Sequence, residues 1–134
     1  YDQSEPMLRE LIANHHTTRG RLEAMIDYIE ASFAGMNDID RELILVAPST
    51  IAADRETQQE LGSSSMDGFT RLIAAGVDLG DVNTRFSPEI LASTVVGTLN
   101  MLTISWAMDS RFPVFAKLEE ARLLFEHLIC KESN

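Results

Sequence analysis

Two histidines stand side by side at His15-His16, and a third, His127, precedes the single cysteine, Cys130, by three residues. Metal binding is the first chemistry such groups suggest. Adjacent residues on a helix point about 100° apart and seldom chelate one ion, so His15-His16 is not expected to hold a metal. His15 continues the apolar spacing of Leu8, Leu11 and Ile12. It reads either as a hydrogen-bonded core histidine or as a polar group facing a ligand cavity. His127 and Cys130 share the polar arc of a helix with Glu126 and read as surface residues. Lys131 is the one evident neighbour that could activate the thiol. The chain contains no Glu-x-x-His carboxylate pattern, no glycine-rich phosphate loop, no Cys-x-x-Cys pair and no Gly-x-Ser-x-Gly elbow. It is expected not to be an enzyme, and to use no metal and no cofactor.

The remaining candidates suit recognition better than reaction. Tyr28, Phe69, Trp106 and the methionines Met25, Met66 and Met101 recur at helical spacing. Such residues form core in most proteins and line apolar ligand cavities in some. Asn100 and Thr103 are uncharged polar residues inside an otherwise apolar segment. A buried amide or hydroxyl needs a partner, which a ligand or a second chain can supply.

These residues must be positioned by helices. The chain has 134 residues, four prolines and no Asn-Gly or Asp-Gly hairpin turn. That length suits a single domain spanning 1–134. Helical spacing predicts elements over about 4–16, 18–35, 41–47, 54–75, 88–109 and 114–130. Ser4 caps the first, Asp54 the fourth, and Pro48 ends the third. Gly76 and Gly80 fall in the loop that follows the fourth. The inward stripe of that fourth helix includes Leu61, Phe69, Leu72 and Ile73, while Gly62 to Ser65 are weak helix formers that leave its first half loose. The fold class is all-α, an antiparallel bundle of about six helices.

Charge limits the partners. With 21 acidic and 11 basic residues the net charge is −10, which repels phosphate backbones and excludes general electrostatic binding of nucleic acid. One cysteine allows no internal disulfide. No basic start followed by an apolar run marks a signal peptide. A cytoplasmic location is the expectation.

Ile90 to Met108 holds no charged residue, and nineteen residues nearly match a bilayer core in length. Six of them are Ser, Thr or Asn, and no Lys/Arg bias marks the flanks. At 100° per residue, Leu91, Val95, Leu99, Leu102 and Trp106 share one arc. Ile90, Gly97, Met101, Ile104 and Met108 share a second, roughly opposite. A lipid-facing helix has no reason to sort bulky groups into two stripes, so no membrane span is expected. A helix sandwiched between its own domain and a second copy does. The last helix spreads Phe115, Leu118, Ala121, Leu124, Phe125, Leu128 and Ile129 over about 180°, wider than the usual core stripe of roughly 100°. Both helices are expected to form a two-fold homodimer, through Ile90, Gly97, Met101, Ile104, Met108, Leu118, Phe125 and Leu128.

Three stretches then point to a known family. Tyr1, Ser4 and Leu8 sit like the aromatic, serine and leucine of a Y-F-x-S-K-E-E-L stretch, from which Glu5, Pro6 and Met7 depart. Gly76, Gly80, Pro88 and Gly97 occupy matching places in a GxxxGxF…DPxxxAxxxxGxxxGL stretch, with Asn100 or Met101 in place of its last glycine. Two long helices separated by Asp109-Ser110-Arg111-Phe112-Pro113 close the chain. In these features, over nearly its whole length, the chain resembles the C-terminal effector-binding and dimerisation domain of TetR-family transcriptional regulators. The resemblance implies that the last two helices build a dimeric four-helix bundle. It also implies that DNA is bound only through an N-terminal helix-turn-helix preceding Tyr1, and that a small effector controls operator affinity. The effector expected here is apolar, held between 4–16, 18–35, 54–75 and 88–109 by Met25, Tyr28, Phe69, Leu99, Thr103 and Trp106, with His15 or Asn100 giving a hydrogen bond. The alternative reading is a stand-alone helical homodimer that binds a partner or small ligand without a DNA role.

Overall fold

The computed structural model describes residues 4–51 and 55–131 and is an all-α bundle. Six helices follow one another among these residues: α1 Ser4–Asn14, α2 Thr18–Ala34, α3 Asp38–Ile51, α4 Arg55–Leu79, α5 Pro88–Met108 and α6 Val114–Ile129. Tyr1, and the cap expected of Asp54, lie outside the described residues, as do the side chains of Ser4, Leu61 and 62–65.

Local chemistry sets most boundaries. Thr17 begins α2, its hydroxyl accepting from the Gly20 N–H at 3.0 Å. Ser87 caps α5 through the Ile90 N–H at 3.2 Å, with Pro88 in the first turn, where its missing N–H costs nothing. Three boundaries differ from the sequence reading by three residues or more. α3 starts at Asp38 rather than near residue 41, because Asn37 and Asp40 cap one another. The Asn37 N–H donates to Asp40 Oδ2 at 2.9 Å, and the Asp40 N–H donates to Asn37 Oδ1 at 3.0 Å. The same helix runs past Pro48 to Ile51, although a proline inside a helix withholds one backbone donor and crowds the carbonyl four residues back. α4 continues beyond residue 75 to Leu79. Gly80, at φ 83°, then stops it, and the N–H groups of Gly80 and Asp81 both return to the Gly76 carbonyl.

That turn ties three elements together. Asp81 accepts from the Thr18 N–H at 2.8 Å and from the Thr18 hydroxyl at 2.6 Å, at the positive end of α2. Val82 pairs with Cys130 in an isolated antiparallel bridge, the Asn83 N–H meeting the Ile129 carbonyl at 2.7 Å. Gly76 makes the approach feasible: a Cβ there would run into Thr18 Oγ1 and Val82 Cγ2.

The core lies where α2, α4, α5 and α6 converge. Leu22, Met25, Ile26, Leu72, Ile73, Leu91, Val95, Leu118, Phe125 and Ile129 are all fully buried there. Side chains of this size each contribute roughly 1.5–3 kcal/mol when removed from water.

Candidate functional site

Among the described residues, α5 carries the most exposed large apolar side chains of any helix. Its inner face carries Leu91, Val95 and Trp106, all buried, with Leu99 and Leu102 half-buried beside them. Its outer face carries Ile90 (58% exposed), Met101 (61%), Ile104 (39%) and Met108 (73%). Gly97 lies on the same outer stripe, and a Cβ built there would meet nothing within 4 Å. The five residues expected at an interface on this helix therefore lie together on one accessible apolar stripe. The hydroxyls of Thr94 and Thr103 each donate to the carbonyl four residues back, at 3.0 and 2.8 Å.

α6 corrects the other half of the expected interface. Leu118 and Phe125 are fully buried in the protein's own core and cannot also face a second chain. Leu128 is half-buried. The exposed apolar residues of α6 are Phe115, Leu123 and Leu124. Leu123 lies outside the arc read from the sequence. The 180° spread was wide because it combined a core stripe centred between Leu118 and Phe125 with Phe115 and Leu124 on its two flanks.

The expected ligand residues divide into three groups. Met25 (0% exposed) and Phe69 (6%) are packed into the core. Trp106 is buried in the same hydrophobic core, with Leu99 and Thr103 half-buried on its own helix, and its ring meets Phe33 edge to face at 5.0 Å between centroids. The Arg41 guanidinium lies 4.4 Å from the Trp106 ring centroid, a cation–π contact that joins α3 to the end of α5. His15 and Tyr28 lie elsewhere, on an open groove of about 560 Å³ between α1 and α2. Asn100 is exposed on the side of α5 turned away from the core, where it cannot reach the Met25, Phe69 and Trp106 group. His15 is half-buried rather than a core residue. Its backbone carbonyl, with that of Ile12, accepts from the buried Arg21, which closes the C-terminal end of α1.

Charge gathers between α2 and α6 instead. Arg122 donates to Asp27 at 2.6 Å, lies 3.1 Å from Glu119 and 3.6 Å from Glu30, and also meets the Glu23 carbonyl. Arg19 pairs with Glu126 at 3.0 Å. Carboxylates outnumber guanidinium groups along this seam, and two respond by holding protons more tightly. A hydrogen bond to Glu119, then burial, raises Glu30 above a glutamate's usual range; the same shared bond lowers Glu119. Burial, then the neighbouring Glu23, raises Glu126. One oxygen each of Glu30 and Glu126 is buried without a hydrogen bond.

Cys130 is 6% exposed, not a surface residue as its spacing suggested, because the Val82 bridge covers it. Burial pushes its thiol up to about 11, so it stays protonated and unreactive at neutral pH. His127 is exposed. Among the described residues, no group of three or more His, Cys, Asp or Glu side chains is placed to hold a metal ion. α5 is the one described helix long and apolar enough to cross a membrane, and only 28% of its most apolar window is buried. No family model, curated protein or solved structure matches the chain.

Proposed function

We propose that this chain is the homodimerising, effector-sensing part of a TetR-like, one-component transcription regulator. The observation that carries the reading is the outer stripe of α5: Ile90, Met101, Ile104 and Met108 exposed along one face of a helix whose other face is core. Leaving such a stripe in water is costly, and a second copy covers it at the same stroke on both molecules. The six hydroxyl and amide residues between Ile90 and Met108, and the charged helices packed on the inner face of α5, favour a protein partner over lipid.

The effector of this proposal is an apolar small molecule held near Met25, Phe69, Leu99, Thr103 and Trp106. α3, latched to Trp106 by Arg41, is the element such a ligand would shift. Binding would favour one spacing of two DNA-binding heads carried before Tyr1, and operator affinity would change through that population shift. DNA contact is assigned to those heads alone.

Fusion to a monomeric helix-turn-helix head of known operator tests the reading. The proposal expects the fusion to bind a two-half-site operator far more tightly than a single half-site. It also expects an apolar compound that raises the thermal midpoint by mass action to change that affinity. Equal binding to one and two half-sites, or stabilisation only by polar anions, would contradict it.

A further inference from the structure

The outer stripe of α5 is neutral, and the rest of the chain is not. No side chain between Ile90 and Met108 carries a charge. The 21 acidic and 11 basic residues all lie elsewhere and leave a net charge of −10. The ends of the helix add no basic surplus. Glu89 is exposed in the first turn, and Asp109, just past the last, is paired with Arg111 at 3.4 Å. On α6, Lys117 meets Glu120 at 3.3 Å, and Arg122 is shared among Asp27, Glu30 and Glu119. Arg111, Lys117 and Arg122 therefore each already face a carboxylate of their own chain.

Two copies that meet on this stripe join through a neutral centre, so opposite charges do not draw that centre together. Repulsion between the two whole molecules remains. Its reach decides its size. A chain of 134 residues has a radius of gyration of about 14 Å, so the centres of two touching copies lie roughly 28 Å apart. The screening length is about 30 Å at 0.01 M salt and about 10 Å at 0.1 M. At the lower salt the separation falls within one screening length. At the higher salt it spans nearly three, and most of the repulsion is gone. We infer that ionic strength gates the self-association of this chain: the apolar stripe of α5 supplies the attraction, the charge of −10 on each copy opposes it, and dissolved cations relieve the opposition. The inference rests on the proposed pairing of two copies through α5 and adds its regulation. Its sign is the reverse of that for an interface built on ion pairs, which salt weakens.

Sedimentation equilibrium of the full 134-residue chain at neutral pH, in about 0.01 M and about 0.1 M sodium chloride, tests it. The dimer dissociation constant is expected to be at least about tenfold lower at the higher salt. Glu10→Lys, Glu42→Lys and Asp78→Lys together move the net charge from −10 to −4, by two for each substitution, at exposed sites off α5 and α6. This triple variant should dimerise more tightly at the lower salt and lose most of the response to salt, although no residue of the stripe has changed. Met101→Lys with Ile104→Lys also reduces the net charge, but places it inside the contact, and should abolish self-association at both salts. A dissociation constant that is the same at both salts, or that rises with salt, overturns the inference and leaves the reading of α5 intact. So does a salt response that the triple variant keeps in full, since salt would then act on something other than net charge. A monomer at both salts, in the triple variant as in the unmodified chain, overturns the reading of α5 and the inference with it.

Discussion

The two faces of α5 are nearly equal in apolar content and opposite in fate. Leu91 and Val95 are sealed inside, while Ile90 and Met101, next to them in sequence or a few turns along, stand more than half exposed. Composition cannot tell these faces apart; only their partners can. The inner face has its partners within the chain and should govern folding. The outer face has none among the described residues and should govern assembly.

The sharpest way to break that comparison is to truncate one residue on each face. Leu91→Ala should cost about 2–5 kcal/mol of unfolding free energy, and Ile90→Ala less than about 0.5 kcal/mol when measured on dilute protein. Comparable losses in chemical denaturation would mean that the outer face is already packed. Next in size, Met101→Lys combined with Ile104→Lys should weaken self-association by about 100-fold or more while leaving the circular dichroism spectrum helical, because charge would enter the centre of an apolar contact. A smaller effect is expected at the end of the inner face. Arg41→Ala removes the cation over Trp106 and should cost about 0.5–2 kcal/mol, read as a blue- or red-shifted tryptophan emission at a lower thermal midpoint. An unchanged midpoint would leave α3 without its latch.

The smallest effect lies on the seam between α2 and α6, which serves as a polar contrast to α5. Glu30 and Glu126 hold protons more tightly folded than unfolded. Their contribution is fully present below a glutamate's usual value of 4.5 and is lost as pH rises through their raised folded values. Glu119 opposes this, its lowered value adding stability that is lost as pH falls. The seam is partly exposed, so the net slope should be shallow. The thermal midpoint should drift downward as pH rises above a glutamate's usual value of 4.5, and Glu126→Gln should flatten the drift. A steeper drift in the variant would reverse the assignment.

Much of the fold could be read from the chain because it rests on local signals. Ser87-Pro88 announces α5, and period-3.6 spacing separates its two stripes without any knowledge of neighbours. Other features needed three dimensions. The Asn37–Asp40 cap is weaker as a pattern than Ser/Thr-x-x-Glu and hid the true start of α3. Leu118 and Phe125 looked like interface because angular spread alone cannot say which part of a wide stripe the core consumes. Cys130 looked exposed because the element that buries it, Val82, lies 48 positions away. The Arg41–Trp106 contact joins helices distant in sequence, and no spacing rule announces it. The outer stripe was the easier half of the site, since it lies on one helix; Tyr28 and His15 were picked out as cavity residues but open onto a groove apart from Met25 and Phe69.

Sedimentation or light scattering of the unmodified chain at micromolar concentration tests the central claim most directly. The account predicts a species of twice 14.9 kDa that the paired Met101→Lys and Ile104→Lys substitutions convert to a folded monomer. A stable 14.9 kDa monomer in the unmodified chain, with the outer face of α5 exposed, would contradict it.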